Sequence, residues 1–161
     1  MERKHIHRAV FALCLLLFFG AGFLYLKNET EKLEITRERL PLAGAGVAKV
    51  AVFSDLHLKN GLDGLSRRAA LAIREENPQI VISLGDQIEN AKGLGALDEF
   101  LALAMPPEAR LYGVLGNRER DELGEEELKE VYSIFKRRGG EIIDGKRALA
   151  ETTGGRIAFY G

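Results

Sequence analysis

Cysteine is nearly absent, Cys14 being the only one in 161 residues. No intramolecular disulfide can form, so oxidising surroundings are tolerated but not exploited, and no thiolate cluster can close a structural metal site. Histidine is almost as scarce: His5, His7 and His57, with none beyond position 57. An excess of charge of one sign is missing too. Twenty-three basic and 24 acidic side chains leave a formal net charge of −1, and no basic stripe interleaved with aromatics appears, which excludes nucleic acid as the main partner. The four prolines all punctuate: Pro41 before the main domain, Pro78 and Pro106-Pro107 after helical stretches. No sequence repeat and no low-complexity tract is present.

What the chain does have is one long apolar run. Residues 1–8 (MERKHIHR) form a basic tail, and Ala9 to Leu26 is uninterrupted apolar residues and glycine. Eighteen such residues are just enough to cross a bilayer as a helix. A cleaved signal peptide shares the charged start, but its apolar core is usually shorter and no small-x-small site precedes Lys27. The expectation is an uncleaved transmembrane signal anchor over 9–26, with Cys14 as a small apolar residue of the span. Arg3, Lys4 and Arg8 precede the run and mixed charge follows it, which places the N-terminus in the cytoplasm and the rest on the extracytoplasmic side. His5 and His7 then read as solvated tail residues. Residues 27–46 read as a linker and 47–161 as the main domain.

Within that domain three β-prone runs end in polar residues. KVAVFSDLHL (49–58) releases Asp55 and His57, QIVISLGD (79–86) ends in Gly85-Asp86, and RLYGVLGNRE (110–119) ends in Gly116-Asn117-Arg118-Glu119. Residues two apart on an extended segment face the same side, so Asp55 and His57 are expected to leave the first strand together. Hard oxygen with borderline nitrogen suits Zn, Mn or Fe better than Ca. Asp55, Asp86 and Asn117 are 31 residues apart each time, about one βα unit. Three consecutive units would bring their oxygen ligands to one sheet edge, where open α/β sheets bind ligands. Gly85 and Gly116 suit backbone that must approach a ligand closely.

Helices are expected between these strands: Leu65–Glu76, amphipathic and stopped at Asn77-Pro78; Ala96–Ala104, stopped at Pro106-Pro107; and Glu125–Arg138, acid-led and base-closed with Gly139-Gly140 as its cap. Residues 141–143, 147–152 and 156–160 read as short strands of an antiparallel continuation.

The series Asp55-x-His57, Gly85-Asp86, Gly116-Asn117-x-Glu119 resembles the calcineurin-like metallophosphoesterases, whose pattern runs D-x-H, G-D, G-N-H-[DE], an isolated His, then G-H-x-H. The resemblance covers about residues 47–161, and FSDLHL and GVLGN look most like a membrane-attached phosphodiesterase branch. It implies the N-terminal half of a four-layer α/β/β/α sandwich, preceded here by the transmembrane helix. It implies a phosphoester hydrolase with two divalent metal ions (Mn, Fe or Zn) and a metal-bound hydroxide as nucleophile. Carried over by position, Asp55 and His57 ligate the first metal, Asp86 bridges both, and Asn117 ligates the second through its amide oxygen. Glu119 matches an acidic position that typically orients a neighbouring histidine.

Two departures follow. Arg118 stands where the family has a catalytic His; it can bind phosphoryl oxygens as a permanent cation but cannot protonate a leaving group at neutral pH. The later histidines are absent, leaving four protein ligands for two metals, too few for a tight dinuclear site. On this reading the chain is a C-terminally truncated domain, and its alternative is a catalytically impaired phosphate- or partner-binding module or a non-functional fragment. The expected substrate is a phosphoester, which a membrane anchor would bias by proximity towards lipid-linked or cell-envelope phosphates.

Overall fold

In the computed structural model, residues 2–30, 32–40, 47–152 and 155–161 are described. The chain forms two compact units, Met1–Thr36 and Arg37–Gly161.

The first unit is one helix, α1 (Glu2–Thr30). Its side chains are described for Phe11 and for residues 13–26, and the large apolar ones among them are exposed, Phe18 at 75% and Leu16 at 71%. Among the described residues no helix is long and apolar enough to cross a membrane. His5 and His7 lie outside the described side chains, and Cys14 is exposed.

The second unit is built from β1 (Val50–Phe53), α2 (Gly64–Glu76), β2 (Ile80–Ser83), a 3-10 turn (Ala91–Gly93) running into α3 (Leu94–Ala104), β3 (Arg110–Gly113), α4 (Asn117–Glu122), α5 (Glu125–Arg137), β4 (Gly140–Ile142), β5 (Arg147–Thr152) and β6 (Gly155–Tyr160). Strands β1 to β4 form a parallel sheet in sequence order, with Val50, Ile80 and Arg110 in one register row and Phe53, Ser83 and Gly113 in another. A helix returns the chain between each pair, as parallel pairing requires. Strand β4 is therefore a fourth parallel strand; the expected antiparallel continuation at 141–143 is corrected. Helix α5 carries the chain back over the sheet before β4 begins, so the strand can only re-enter in the same direction. Among the described strands, β5 and β6 alone pair antiparallel, in a sheet of their own.

Alternation along the strands sends Val81, Leu111 and Ile142 to the helical face, where they pack with Ala70, Leu97, Phe100, Leu101, Val131, Ile134 and Phe135. Ile80, Tyr112 and Ile143 face the other way and pack with Ala148 and Ala150 of the hairpin, flanked by Ile157 and Phe159. Burial pushes the Tyr112 phenol above its usual range, and its hydroxyl donates to the Leu149 carbonyl at 3.3 Å. Helices, parallel sheet and hairpin thus supply an α, a β and a second β layer. The hairpin-side residues of the edge strand β1 remain open, with Val52 56% exposed and Leu84 beyond β2 at 53%.

The helix ends follow local chemistry. Asp63 caps α2 by accepting the Ser66 N–H at 2.7 Å, which holds its carboxyl below the ordinary range, and Asn77 closes the helix in a left-handed conformation before Pro78. Helix α5 begins with Glu125, Glu126 and Glu127 and ends with Lys136 and Arg137, matching the macrodipole. Helix α4 was not expected. Its NRERDE sequence has no apolar period, and what holds it is Glu119, buried at 0% exposure.

Candidate metal centre

The first three strands end side by side, and the loops beyond them stay in register through backbone hydrogen bonds. Asp55 N–H donates to Gly85 O at 3.2 Å, His57 N–H to Asp86 O at 3.0 Å, and Leu58 N–H to Gln87 O at 2.9 Å. Strand partners are 30 residues apart, whereas the candidate ligands are 31 apart, so each successive ligand sits one residue farther past its strand.

Asp55, His57 and Asp86 come together: each offers a ligand atom, and these atoms lie within 4.8 Å of one another. His57 Nε2 is 3.8 Å from Asp55 Oδ1. The route to this convergence differs from the expected one. Asp55 (φ +54°) and His57 (φ +44°) are left-handed rather than extended, and so is Asp86 (φ +52°). Two left-handed residues in one loop, not the period of a strand, turn the first two side chains to one place.

The two glycines behave as their chemistry suggests. Gly85 has φ +100°, and a Cβ there would fall 2.7 Å from the Gly116 Cα; a Cβ on Gly116 would fall 2.0 Å from Asp86 Oδ1. At Gly85 and Gly116 the second and third loops meet backbone to backbone, with the Asp86 carboxylate against them. Asp86 Oδ1 accepts the Arg118 N–H at 2.9 Å. Asn117, exposed at the first position of α4, lies between two residues that touch Asp86.

Glu119 does something other than orient a histidine, because Arg118 occupies the position where one would stand. Its Oε2 accepts from the Asp86 N–H at 3.0 Å and the Gly116 N–H at 2.9 Å, and its Oε1 from the Ile88 N–H at 2.9 Å. One buried carboxylate thereby clasps the backbone of the second loop to that of the third. Gln87, also fully buried, adds a second tie by donating to Ser83 Oγ at 2.8 Å and Val114 O at 2.9 Å.

Sequence reasoning missed Glu89. It sits three residues beyond Asp86, with Oε2 3.0 Å from His57 Nδ1 and Oε1 3.4 Å from Arg118 Nη1. Arg118 Nη1 is also 3.9 Å from Glu122. Nothing periodic marks Glu89, and its partners are 32 residues upstream and 29 downstream.

The donor set fits a divalent cation. Two carboxylates and an imidazole converge with both hard and borderline donors, and His57 Nδ1 is buried without an aligned hydrogen bond, as expected where a ring is held for another purpose.

Residues 48–157 match the calcineurin-like phosphoesterase family, and the chain belongs to it. A solved phosphopantetheinyl hydrolase from Mycobacterium tuberculosis is similar at 20% identity and a TM-score of 0.48, over 73% of this chain and 43% of that one. The chain thus spans less than half the length of that structure. No curated protein sequence matches.

Proposed function

We propose that this chain is a membrane-anchored, metal-dependent phosphoester hydrolase. The observation that carries the reading is the convergence of Asp55, His57 and Asp86 past the ends of β1 and β2, in a chain of the phosphoesterase family. These three side chains would hold a divalent cation (Mn, Fe or Zn), and the Asn117 amide oxygen would extend the set towards a second ion bridged by Asp86. A cation there supplies charge stabilisation at phosphoryl oxygens and an acidified water as nucleophile. The residues then do the positioning. The Asp86 carboxylate and the Arg118 N–H lock the third loop onto the second, and the Arg118 guanidinium, 41% exposed, offers a fixed cation to the phosphate ester.

Arg118 also sets which esters react fastest. It stabilises charge without giving up a proton, so the leaving group must depart unassisted. Arg118→His should raise kcat/KM for alkyl phosphate esters relative to p-nitrophenyl esters by about 10²-fold, the lower end of general acid catalysis. An unchanged ratio would remove Arg118 from the leaving-group side.

Membrane attachment is supported by the sequence from Ala9 to Leu26, which is wholly apolar residues or glycine; eighteen residues would span about 27 Å at helical rise, close to the thickness of a hydrocarbon core. Residues 1–8 would then be a cytoplasmic tail, 27–46 a linker, and the domain from 47 extracytoplasmic, near lipid-linked or cell-envelope phosphates.

The test is direct. Full-length chain in detergent, stripped with chelator, should lose hydrolysis of bis-(p-nitrophenyl) phosphate and regain it on addition of Mn²⁺. Binding of inorganic phosphate without turnover under any of Mn²⁺, Fe²⁺ or Zn²⁺ would instead establish the binding-module reading, which Arg118 favours.

A further inference from the structure

We infer that Asp144 is a positioning residue for the third loop: from the turn after β4 it holds Leu115 and Arg120, and through them Asn117 and the Arg118 guanidinium. The inference rests on the hydrolase reading above and extends it to a strand outside the ligand set.

The β3–β4 ladder stops just short of the site. Gly113 pairs with Ile142, and the Ile143 N–H donates to Gly113 O at 2.8 Å. In a parallel ladder the next bond would run from the Leu115 N–H to Ile143 O. The chain turns there instead: Ile143 O accepts the Lys146 N–H at 2.8 Å, with Gly145 left-handed at φ +62°. The Leu115 donor, which needs a partner wherever water is kept from it, goes to Asp144 Oδ1 at 3.0 Å. A side chain thus replaces backbone at the row where the third loop begins.

The second carboxylate oxygen closes a ring. Asp144 Oδ2 accepts from Arg120 Nη2 at 2.9 Å, and Arg120 Nε donates to Leu115 O at 3.3 Å. Both polar groups of Leu115 are therefore held, the N–H by Asp144 and the carbonyl by Arg120. Leu115 stands two residues before Asn117 and Arg120 three after it, so the ring straddles Asn117 and Arg118. The Asp144 side chain is 19% exposed against 56% for Arg120, which makes the carboxylate the fixed post and the guanidinium the strap. Hydrogen bonds between ionised partners are the stronger kind. Glu119 holds the same loop from the side of the second, and Asp144 supplies the opposing hold from the fourth strand. With one hold removed, the start of α4 can pivot about the other, and a shift of about 1 Å at a binding group can cost about 10²-fold.

The test uses the full-length chain in detergent, with readouts that do not depend on turnover. Loaded with Mn²⁺, the wild type should bind inorganic phosphate. Asp144→Ala should weaken that binding about 10- to 100-fold, while affinity for the first Mn²⁺ stays within a few-fold. Asp144→Asn, which keeps an oxygen for the Leu115 N–H, should recover part of the loss. Arg120→Ala should weaken phosphate binding as well, and the double variant should be no weaker than Asp144→Ala alone, since both act through one ring. Hydrogen–deuterium exchange of the metal-free protein should quicken at Leu115 in Asp144→Ala and stay unchanged in β1 and β2. Wild-type phosphate affinity in Asp144→Ala, even with a lowered urea midpoint, would reduce Asp144 to a structural tie and overturn the inference. An equal loss of Mn²⁺ and phosphate affinity would overturn it too. Should Asp144→Ala not fold, Arg120→Ala decides, and wild-type phosphate affinity there has the same force. Failure of the wild type itself to take up Mn²⁺ would overturn the hydrolase reading, a result that no Asp144 variant can produce.

Discussion

Glu119→Ala should cost the domain about 3 kcal/mol of stability, although the residue meets the ligand set only through the Asp86 backbone N–H and is sealed from solvent. Its carboxylate satisfies three backbone N–H groups. Leaving one buried donor without a partner costs about 1–3 kcal/mol. The Ile88 N–H is fully buried and pays that cost in full, whereas the Asp86 and Gly116 donors are part-buried and can be partly rescued by water. Against this stands the relief of desolvating a carboxylate, which keeps the sum of the three near the upper end of what one donor costs. With typical stabilities of about 5–15 kcal/mol, the loss is large. Urea unfolding would measure it, and Glu119→Gln, which retains one accepting oxygen, should recover part. A midpoint shift worth under about 1 kcal/mol for Glu119→Ala would mean that the two loops are held by their glycines and not by this clasp.

Asp86→Asn should lower kcat/KM for an aryl phosphodiester at least about 10³-fold, which corresponds to roughly 4 kcal/mol of transition-state stabilisation. The substitution is chosen to isolate charge. Asparagine keeps an oxygen that can accept the Arg118 N–H, and the backbone bonds of Asp86 to His57 and Glu119 do not involve its side chain. The fold should therefore survive with the same urea midpoint, while the negative charge at the crossing of the second and third loops disappears. Calorimetry should show Mn²⁺ affinity falling with activity. Activity within tenfold of wild type would show that the cation is not held at Asp86, and the metal centre as drawn would be wrong.

The parts of this molecule that the sequence makes legible are those with a short-range signal. Apolar β-prone runs closed by Ser-Asp, Gly-Asp and Gly-Asn mark the ends of β1, β2 and β3, apolar stripes mark α2 and α3, and acid-led, base-closed charge marks α5. Asp55, His57 and Asp86 were found because three such runs recur at nearly equal spacing. Illegible were features made by long-range geometry. The direction of β4 depends on where α5 delivers the chain, which the GEI sequence cannot state. Helix α4 exists because a buried carboxylate anchors it, not because its residues favour one face. Glu89 has an ordinary loop sequence around it, and its partners come from two other loops. The left-handed turn at Asp55 and His57 stays hidden behind the strand pattern, because Asp and His are enriched at positive φ but adopt extended backbone as well.

That turn has a consequence for how the sequence could drift. Non-glycine residues in the left-handed region cost about 1–2 kcal/mol each, so Asp55, His57 and Asp86 together forgo about 3–6 kcal/mol. A library screened only for folding would be drawn to glycine at all three positions and would gain robustness by doing so. Such a screen would erase the carboxylates and the imidazole first. That these expensive residues occupy the very places where glycine would fold better marks the loop ends as shaped by a chemical demand that competes with stability.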